Sequence, residues 1–453
     1  MIDTINPATG KVVRQYELCE ATLLEEKLAN AAQAYQQWRS LSFAERGEYL
    51  RKVAATLRSQ SEKHSALMTE EMGKPIIEAR GEIEKSASGC EHYADHAEQY
   101  LAPQIIPSDA KKSWVQFLPL GTVLGILPWN SPYWLATRVF APALMAGNTV
   151  ILKHDSHVPG CAAAIEQAFT DAGVPHGVLQ TVLTDHSNTE SMIRDPRISA
   201  VSFTGSTTAG SKVAAIAAAE IKPAVLELGG SDPAIVLADA DLDKAVDVLA
   251  TSRFICAGQS CIAAKRMLVE ESVYPAFVDK LTQRLSNLRV GDPTLEDTDI
   301  GPIARAELRT YLHDQVTRSI ASGANCVMGG KIPAGPGSFY PVTLLTDVPL
   351  DAAAFTEETF GPVAAVRAVA DVEEAFAIAN DTAYGLGASI WTKSERGAQL
   401  AARFESGQVA INGIVKSDPR LPSGGIKRSG YGKELGPHGI REFVNAQQVW
   451  QGE

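Results

Sequence analysis

The chain has 453 residues, 45% hydrophobic and 21% charged, the balance of a globular protein with room for two or three domains and a sizeable core. Lys plus Arg number 41 against 53 Asp plus Glu, a formal charge of −12, and with no basic cluster this excludes nucleic acid and anionic membrane surfaces as partners. No apolar run reaches the ~18 residues of a membrane span, the opening residues carry no basic or apolar leader, six cysteines are too few for a disulfide framework and nine histidines show no metal-binding spacing, so a reduced, metal-free cytoplasmic protein is expected.

Leu24, Leu28, Ala31, Ala32, Tyr35 and Trp38 recur at helical spacing, which predicts an amphipathic helix. A second begins at Ser42, with Glu45 in capping-box position, and runs through Leu50, Val53 and Leu57. Met-Gly-Lys-Pro at 72–75 breaks it, and a Glu- and Ala-rich helix continues to about residue 101, so the first hundred residues read as helices. From 114 the period changes. The runs 114–120 and 122–128, punctuated by Gly121, read as strands, as do 149–153, 178–182 and 198–203. Helical stretches at 133–146, 159–172 and 209–220 lie between and after them. A second alternation follows Glu227, with strands at 233–237, 266–270, 364–369 and 389–392 and helices at 242–254, 274–288 and 372–380. Such alternation indicates parallel, doubly wound sheets in two α/β lobes, meeting near the Gly-Gly of 227–231. The Gly- and Pro-rich stretch 330–341 reads as a surface loop.

Cys261 follows the small-residue turn Ala-Gly-Gln-Ser at 257–260, which presents a thiol on a loop, although a lone cysteine also serves as a small buried hydrophobe. As a nucleophile it needs N–H donors or a base beside it. Glu227, between two leucines and ahead of Gly229-Gly230, is a partly desolvated carboxylate suited to general-base work, or else a strand-end charge. Asn130, after Leu-Pro-Trp, either donates its amide to an oxyanion or caps the following helix. Thr-Gly-Ser-Thr-Thr-Ala-Gly at 204–210 leads from a strand into a helix and offers backbone N–H groups to a phosphate, though it is neither GxGxxG nor a P-loop.

Taken together, these segments resemble the aldehyde dehydrogenase superfamily. Pro-Trp-Asn at 128–130, Gly-Asn-Thr-Val-Ile-Leu-Lys at 147–153, Phe-Thr-Gly-Ser at 203–206 and Leu-Glu-Leu-Gly-Gly at 226–230 stand in its order. Gly-Gln-Ser-Cys at 258–261, Glu-Glu-Thr-Phe-Gly-Pro-Val at 357–363 and Gly-Gly-Ile-Lys-Arg-Ser-Gly-Tyr-Gly at 424–432 complete it. Lys153-His154, the Leu-Gly-Gly-Ser-Asp-Pro of 228–233, the Ala-Ala-Lys-Arg of 263–266 and Lys-Ser-Asp-Pro-Arg-Leu-Pro at 416–422 are similar to the short succinate-semialdehyde dehydrogenases.

The resemblance implies an α/β fold with a doubly wound dinucleotide-binding domain (1–100 and 120–230), an α/β catalytic domain (231–428) and a small β oligomerisation arm (101–119 and 429–453) that makes a homodimer or homotetramer. It implies Cys261 as nucleophile, Glu227 as base for thioester hydrolysis, and Asn130 with the Cys261 N–H as oxyanion donors. Trp129, Lys153, Ser156, Gly205, Ser206, Gly210, Glu358 and Phe360 would bind the cofactor. Ser156 stands where NAD-preferring relatives carry Glu, so NADP is expected, with NAD the alternative and Asp155 a competing negative charge. Arg138 would bind a substrate carboxylate, assisted by Ser417. Ser131 and Ser423 replace aromatic residues of the aldehyde tunnel, which implies a wider, more polar channel than succinic semialdehyde needs. Cys256, at a position usually Asn, either forms a reversible disulfide with Cys261 or fills space. The reaction implied is oxidation of an aldehyde, succinic semialdehyde first, to an acid; a bulkier ω-carboxy or polar aldehyde, a cofactor-independent thiol esterase and a non-enzymatic scaffold are the alternatives.

Overall fold

The computed structural model describes every residue except 394 and 396. Its first element corrects the all-helical reading of the first hundred residues: Ile2–Asn6 and Lys11–Tyr16 form an antiparallel hairpin. Asn6 builds the turn, its Oδ1 accepting the N–H groups of Ala8 and Thr9 and its carbonyl that of Gly10. Most side chains of the two strands are exposed, so no buried alternation marks them in the sequence.

Helices follow at Ala21–Trp38, Phe43–Ser59, Ser61–Met72 and Ile76–Tyr100. The first buries Leu24, Leu28, Ala31, Ala34 and Trp38, and the Trp38 indole N–H donates to the Leu144 carbonyl at 2.9 Å. The second opens on the expected capping box, with both reciprocal bonds between Ser42 and Glu45 present. Together with Pro132–Met145 these helices form one large core around Leu50, Val53, Ile83, Val139 and Leu144. Every residue of Pro132–Met145 is buried, including its single charge, Arg138.

The first sheet has six strands in the order Gly430–Tyr431, Ala224–Glu227, Ile198–Thr204, Thr122–Leu127, Thr149–His154 and Leu179–Thr181, parallel but for the first. The chain winds outward from Thr122–Leu127 to Leu179–Thr181, then returns to Ile198–Thr204 on the other side. That reversal opens a crevice at the carboxyl ends of the strands, where open parallel sheets bind ligands. The second sheet has seven strands, in the order Asn325–Met328, Thr343–Thr346, Val363–Val369, Ala264–Glu270, Asp232–Val236, Gly387–Trp391 and Gln408–Ile411. Only four residues separate the end of Ala224–Glu227 from the start of Asp232–Val236, so the link between the two sheets carries Gly229 and Gly230. A third, antiparallel sheet joins Val444–Gln451, Lys112–Pro119 and Gln104–Ile105, with Val444 opposite Pro119 and Gln451 opposite Lys112.

Candidate active site

Cys261 follows a left-handed turn. Cys256, Ala257 and Gly258 take φ of 54°, 53° and 71° in succession, a conformation costing each L residue about 1 kcal/mol or more, so the surroundings must hold it. Buried Arg253 does so by donating to the carbonyls of Gly258 (3.2 Å), Thr359 (2.8 Å) and Val363 (2.5 Å). Gln259 spans from the Cys256 carbonyl (3.1 Å) to the Ala304 N–H (2.9 Å). Lys265, fully buried, donates to the carbonyls of Ser260 (2.9 Å) and Cys261 (2.7 Å) and lies 3.4 Å from Glu358. Gly258 has no room for a side chain, since a Cβ would fall 2.2 Å from the Gly361 carbonyl oxygen. The cysteine turn is thus locked to the segment carrying Glu358 and Phe360.

Burial pushes the half-buried Cys261 thiol up to about 12; the Glu227 charge adds to the rise, while Lys265 and Arg138 oppose it. Glu227 is buried at the end of its strand, with Oε2 paired to Arg138 and Oε1 without a hydrogen-bond partner among the described residues. An acceptor oxygen held dry beside a thiol suits proton removal.

The structure engages Arg138 otherwise than the resemblance implied. Its guanidinium is ion-paired to two buried carboxylates, Glu227 through Nη2 and Glu434 through Nε, and reaches the Ser423 hydroxyl at 3.5 Å, so its charge is matched within the protein. Glu434 escaped the sequence reading. Burial raises it to about 6 against the opposing pull of Arg138, and its Oε1 accepts from Ser202 at 3.3 Å. The signal for it was a lone acid in the Gly-rich run 430–436, just past the last quoted motif.

Asn130 lies beside the cysteine turn, its amide donating to the Gln259 carbonyl at 3.0 Å and its own carbonyl accepting from the Cys256 thiol at 3.5 Å. It does not cap the helix. The N–H groups of Tyr133 and Trp134 donate instead to Glu82 Oε1 (2.9 and 3.1 Å), and Lys74 pairs with the other Glu82 oxygen and donates to Ser131 Oγ at 3.2 Å. The two serines expected to widen the tunnel therefore bind cations: Ser131 takes Lys74 and Ser423 takes Arg138. Buried Ser417 accepts from the Trp134 indole N–H (2.7 Å) and from Lys85 (3.0 Å). Glu82 and Lys85 were also missed, being two members of a Glu- and Lys-bearing helix that reads as a solvated face.

At the crevice, Trp129 packs edge-on against Phe360 with ring centroids 5.8 Å apart. Gly205 follows Ile198–Thr204, and Ser206 caps Thr207–Ala219 by accepting the Ala209 N–H, leaving the other first-turn donors for an anion. Gly210 serves packing, since a Cβ there would meet Leu228 at 2.4 Å. Glu358 accepts the Gly230 N–H at 3.1 Å. Lys153 and Ser156 are half-buried at and after the end of Thr149–His154; burial lowers the Lys153 ammonium, while Asp155 and Asp185 raise it. The Asp155 carboxylate is held by His157 (2.5 Å), which blunts it as a competitor for a phosphate. A helix N-terminus, a cation and a hydroxyl along one crevice fit a phosphorylated dinucleotide.

The family model of the aldehyde dehydrogenase family matches residues 1–449. A probable succinate-semialdehyde dehydrogenase (NADP(+)) of Synechocystis sp. is 49% identical over 450 residues, 99% of each chain. The solved structure of Gox0499, described for its cofactor and substrate selection, superposes with a TM-score of 0.98 at 41% identity over 100% of both chains. Succinic semialdehyde dehydrogenase from Streptococcus pyogenes, solved in complex with NADP+, gives 0.97 at 34% identity, again over 100% of both.

Proposed function

The chain belongs to the aldehyde dehydrogenase family and is an oxidoreductase, and from that premise we propose that it oxidises succinic semialdehyde to succinate with NADP. The observation that carries this reading is the convergence on the Cys261 turn of a buried carboxylate with one free oxygen and an amide donor, at the mouth of a crevice suited to a phosphorylated dinucleotide. Relatives named for this substrate and cofactor support it. In this reading 1–100 and 120–230 bind the dinucleotide, 231–428 complete the catalytic domain, and 101–119 with 429–453 form an arm that assembles a cytoplasmic homodimer or homotetramer. No described helix is long and apolar enough to cross a membrane.

Cys261 passes its proton by way of Glu227 to solvent, which leaves Glu227 ionised again, and adds as thiolate to the aldehyde carbon. Asn130 Nδ2 and the Cys261 N–H donate to the oxygen as it gains charge. Lys153, Ser156, Gly205, Ser206, Glu358, Trp129 and Phe360 would hold NADP, which when bound supplies the hydride acceptor. The thioester then left on Cys261 is hydrolysed by water whose proton Glu227 removes, and the sulfur departs as thiolate. Absorbance at 340 nm with an aldehyde panel and each cofactor tests the assignment. Turnover is expected to be highest for succinic semialdehyde with NADP. Equal or better turnover of uncharged aldehydes, or a preference for NAD, would refute it.

A further inference from the structure

With the Arg138 charge matched by two glutamates, a substrate carboxylate gains from a further cation, and the helix Ile76–Tyr100 supplies one. Lys85 is half-buried and has no carboxylate within ion-pair distance among the described residues. Its ammonium lies 4.3 Å over the Trp134 ring and donates to Ser417 Oγ at 3.0 Å. The neighbouring charges have partners of their own: Arg138 has Glu227 and Glu434, Lys74 has Glu82, and Asp418 has Arg420.

The position of this cluster ties it to the chemistry. Trp134 and Arg138 are four residues apart on Pro132–Met145 and share a face. Arg138 reaches Glu227 and acts on the Cys261 thiol, so the helix that carries Trp134 to Ser417 and Lys85 carries, one turn on, the residue that reaches the reacting end. The indole N–H and the ammonium both donate to Ser417 Oγ, which leaves the hydroxyl hydrogen for an acceptor and the ammonium with two hydrogens unassigned.

We propose that Lys85, with the Ser417 hydroxyl, is the site that takes the carboxylate at the far end of an ω-carboxy aldehyde. The assignment rests on the proposed succinic semialdehyde activity and deepens it, by giving the substrate's charge a partner that no protein carboxylate already matches. Burial and the facing Arg138 and Lys74 charges pull the Lys85 ammonium down to about 8, against Glu82 on its own helix and Asp418 on the C-terminal segment. Substrate discrimination should therefore weaken as pH rises past about 8, where the charge is lost.

The test measures kcat/KM with NADP for succinic semialdehyde and for butanal, whose chain is equally long, as a ratio that cancels ionisations common to both. In Lys85→Met the ratio falls by about ten-fold or more at pH 7 and no longer depends on pH between 7 and 9, since a charged hydrogen-bonded pair has been lost. In Lys85→Arg the ratio stays within about three-fold of wild type and its fall moves above pH 9. Succinate should inhibit butanal oxidation by wild type and Lys85→Arg, and about ten-fold less by Lys85→Met. If wild type does not turn over succinic semialdehyde, the proposed function fails; if it does and Lys85→Met loses both aldehydes alike, or keeps wild-type succinate inhibition, the Lys85 assignment alone is overturned.

Discussion

Replacing Arg138 by Leu separates two roles that a conventional activity assay would merge. The guanidinium is one cation between two buried carboxylates, with side chains 4% (Arg138), 2% (Glu227) and 1% (Glu434) exposed. Removing it leaves like charges facing each other in a dry site, a loss of about 3–5 kcal/mol of stability for a broken buried pair. The carboxylate pair relieves the repulsion by keeping a proton. Glu434 already stands at about 6 beside the arginine, and losing an adjacent cation raises a carboxyl by about 1–3 units. The Glu434 proton then leaves at a higher pH than in wild type, and the fraction of fully ionised pairs at pH 7 falls by about ten-fold. Because the cation favoured the charged form and thioester hydrolysis needs it, activity lost at pH 7 must return as pH rises. Arg138→Leu should therefore lower kcat about ten-fold at pH 7 for succinic semialdehyde and butanal alike, with recovery toward pH 9 and a burst of NADPH ahead of slow turnover. Stopped-flow absorbance at 340 nm across that range reads all three. A rise in KM confined to the semialdehyde, with kcat and its pH profile unchanged, would refute the reasoning and return Arg138 to the carboxylate-binding role.

Glu227→Gln removes the negative neighbour that helps hold the Cys261 thiol at about 12, so iodoacetamide at pH 8 should alkylate Cys261 faster than in wild type. Lys265→Met removes an opposing cation and should slow the same reaction; mass spectrometry of the modified peptide decides both. Ser156→Glu should weaken NADP by about ten-fold more than NAD, measured by fluorescence titration, through repulsion of the 2′-phosphate; equal losses would remove Ser156 from that phosphate. Light scattering at micromolar protein should give a dimer or tetramer mass, since Val444–Gln451 presents an open sheet edge with Trp450 53% exposed.

What was legible in the sequence follows the range of the interactions concerned. The strands Thr122–Leu127, Thr149–His154 and Ile198–Thr204 show as β-branched runs because a strand buried on both faces writes its burial locally. Ser42 and Glu45 show as a capping box because both bonds span three residues. The proposed nucleophile Cys261, base Glu227 and amide donor Asn130 stand out through the motifs around them, although the strained turn at Cys256 and Ala257 has no local signature beyond small residues. Arg138 was visible as a residue but not as a role, since its carboxylates lie at positions 227 and 434. Lys85 likewise acquires meaning only when Ser417 and Trp134 are brought beside it.

That long reach has a consequence during synthesis. Trp134 and Ser417 are 283 residues apart, and Ser417, Ser423 and Glu434 all come from the last tenth of the chain. At about 5–20 residues per second, roughly 15–60 s pass between the emergence of that helix and that of the groups that complete its arginine's pairing and its pocket. Through most of that interval the nascent chain holds a nearly all-apolar helix whose cation has only one of its two carboxylates, so the last segment acts as a timer on maturation. A chain stalled or cut before it should persist as a chaperone client rather than as a partly active enzyme.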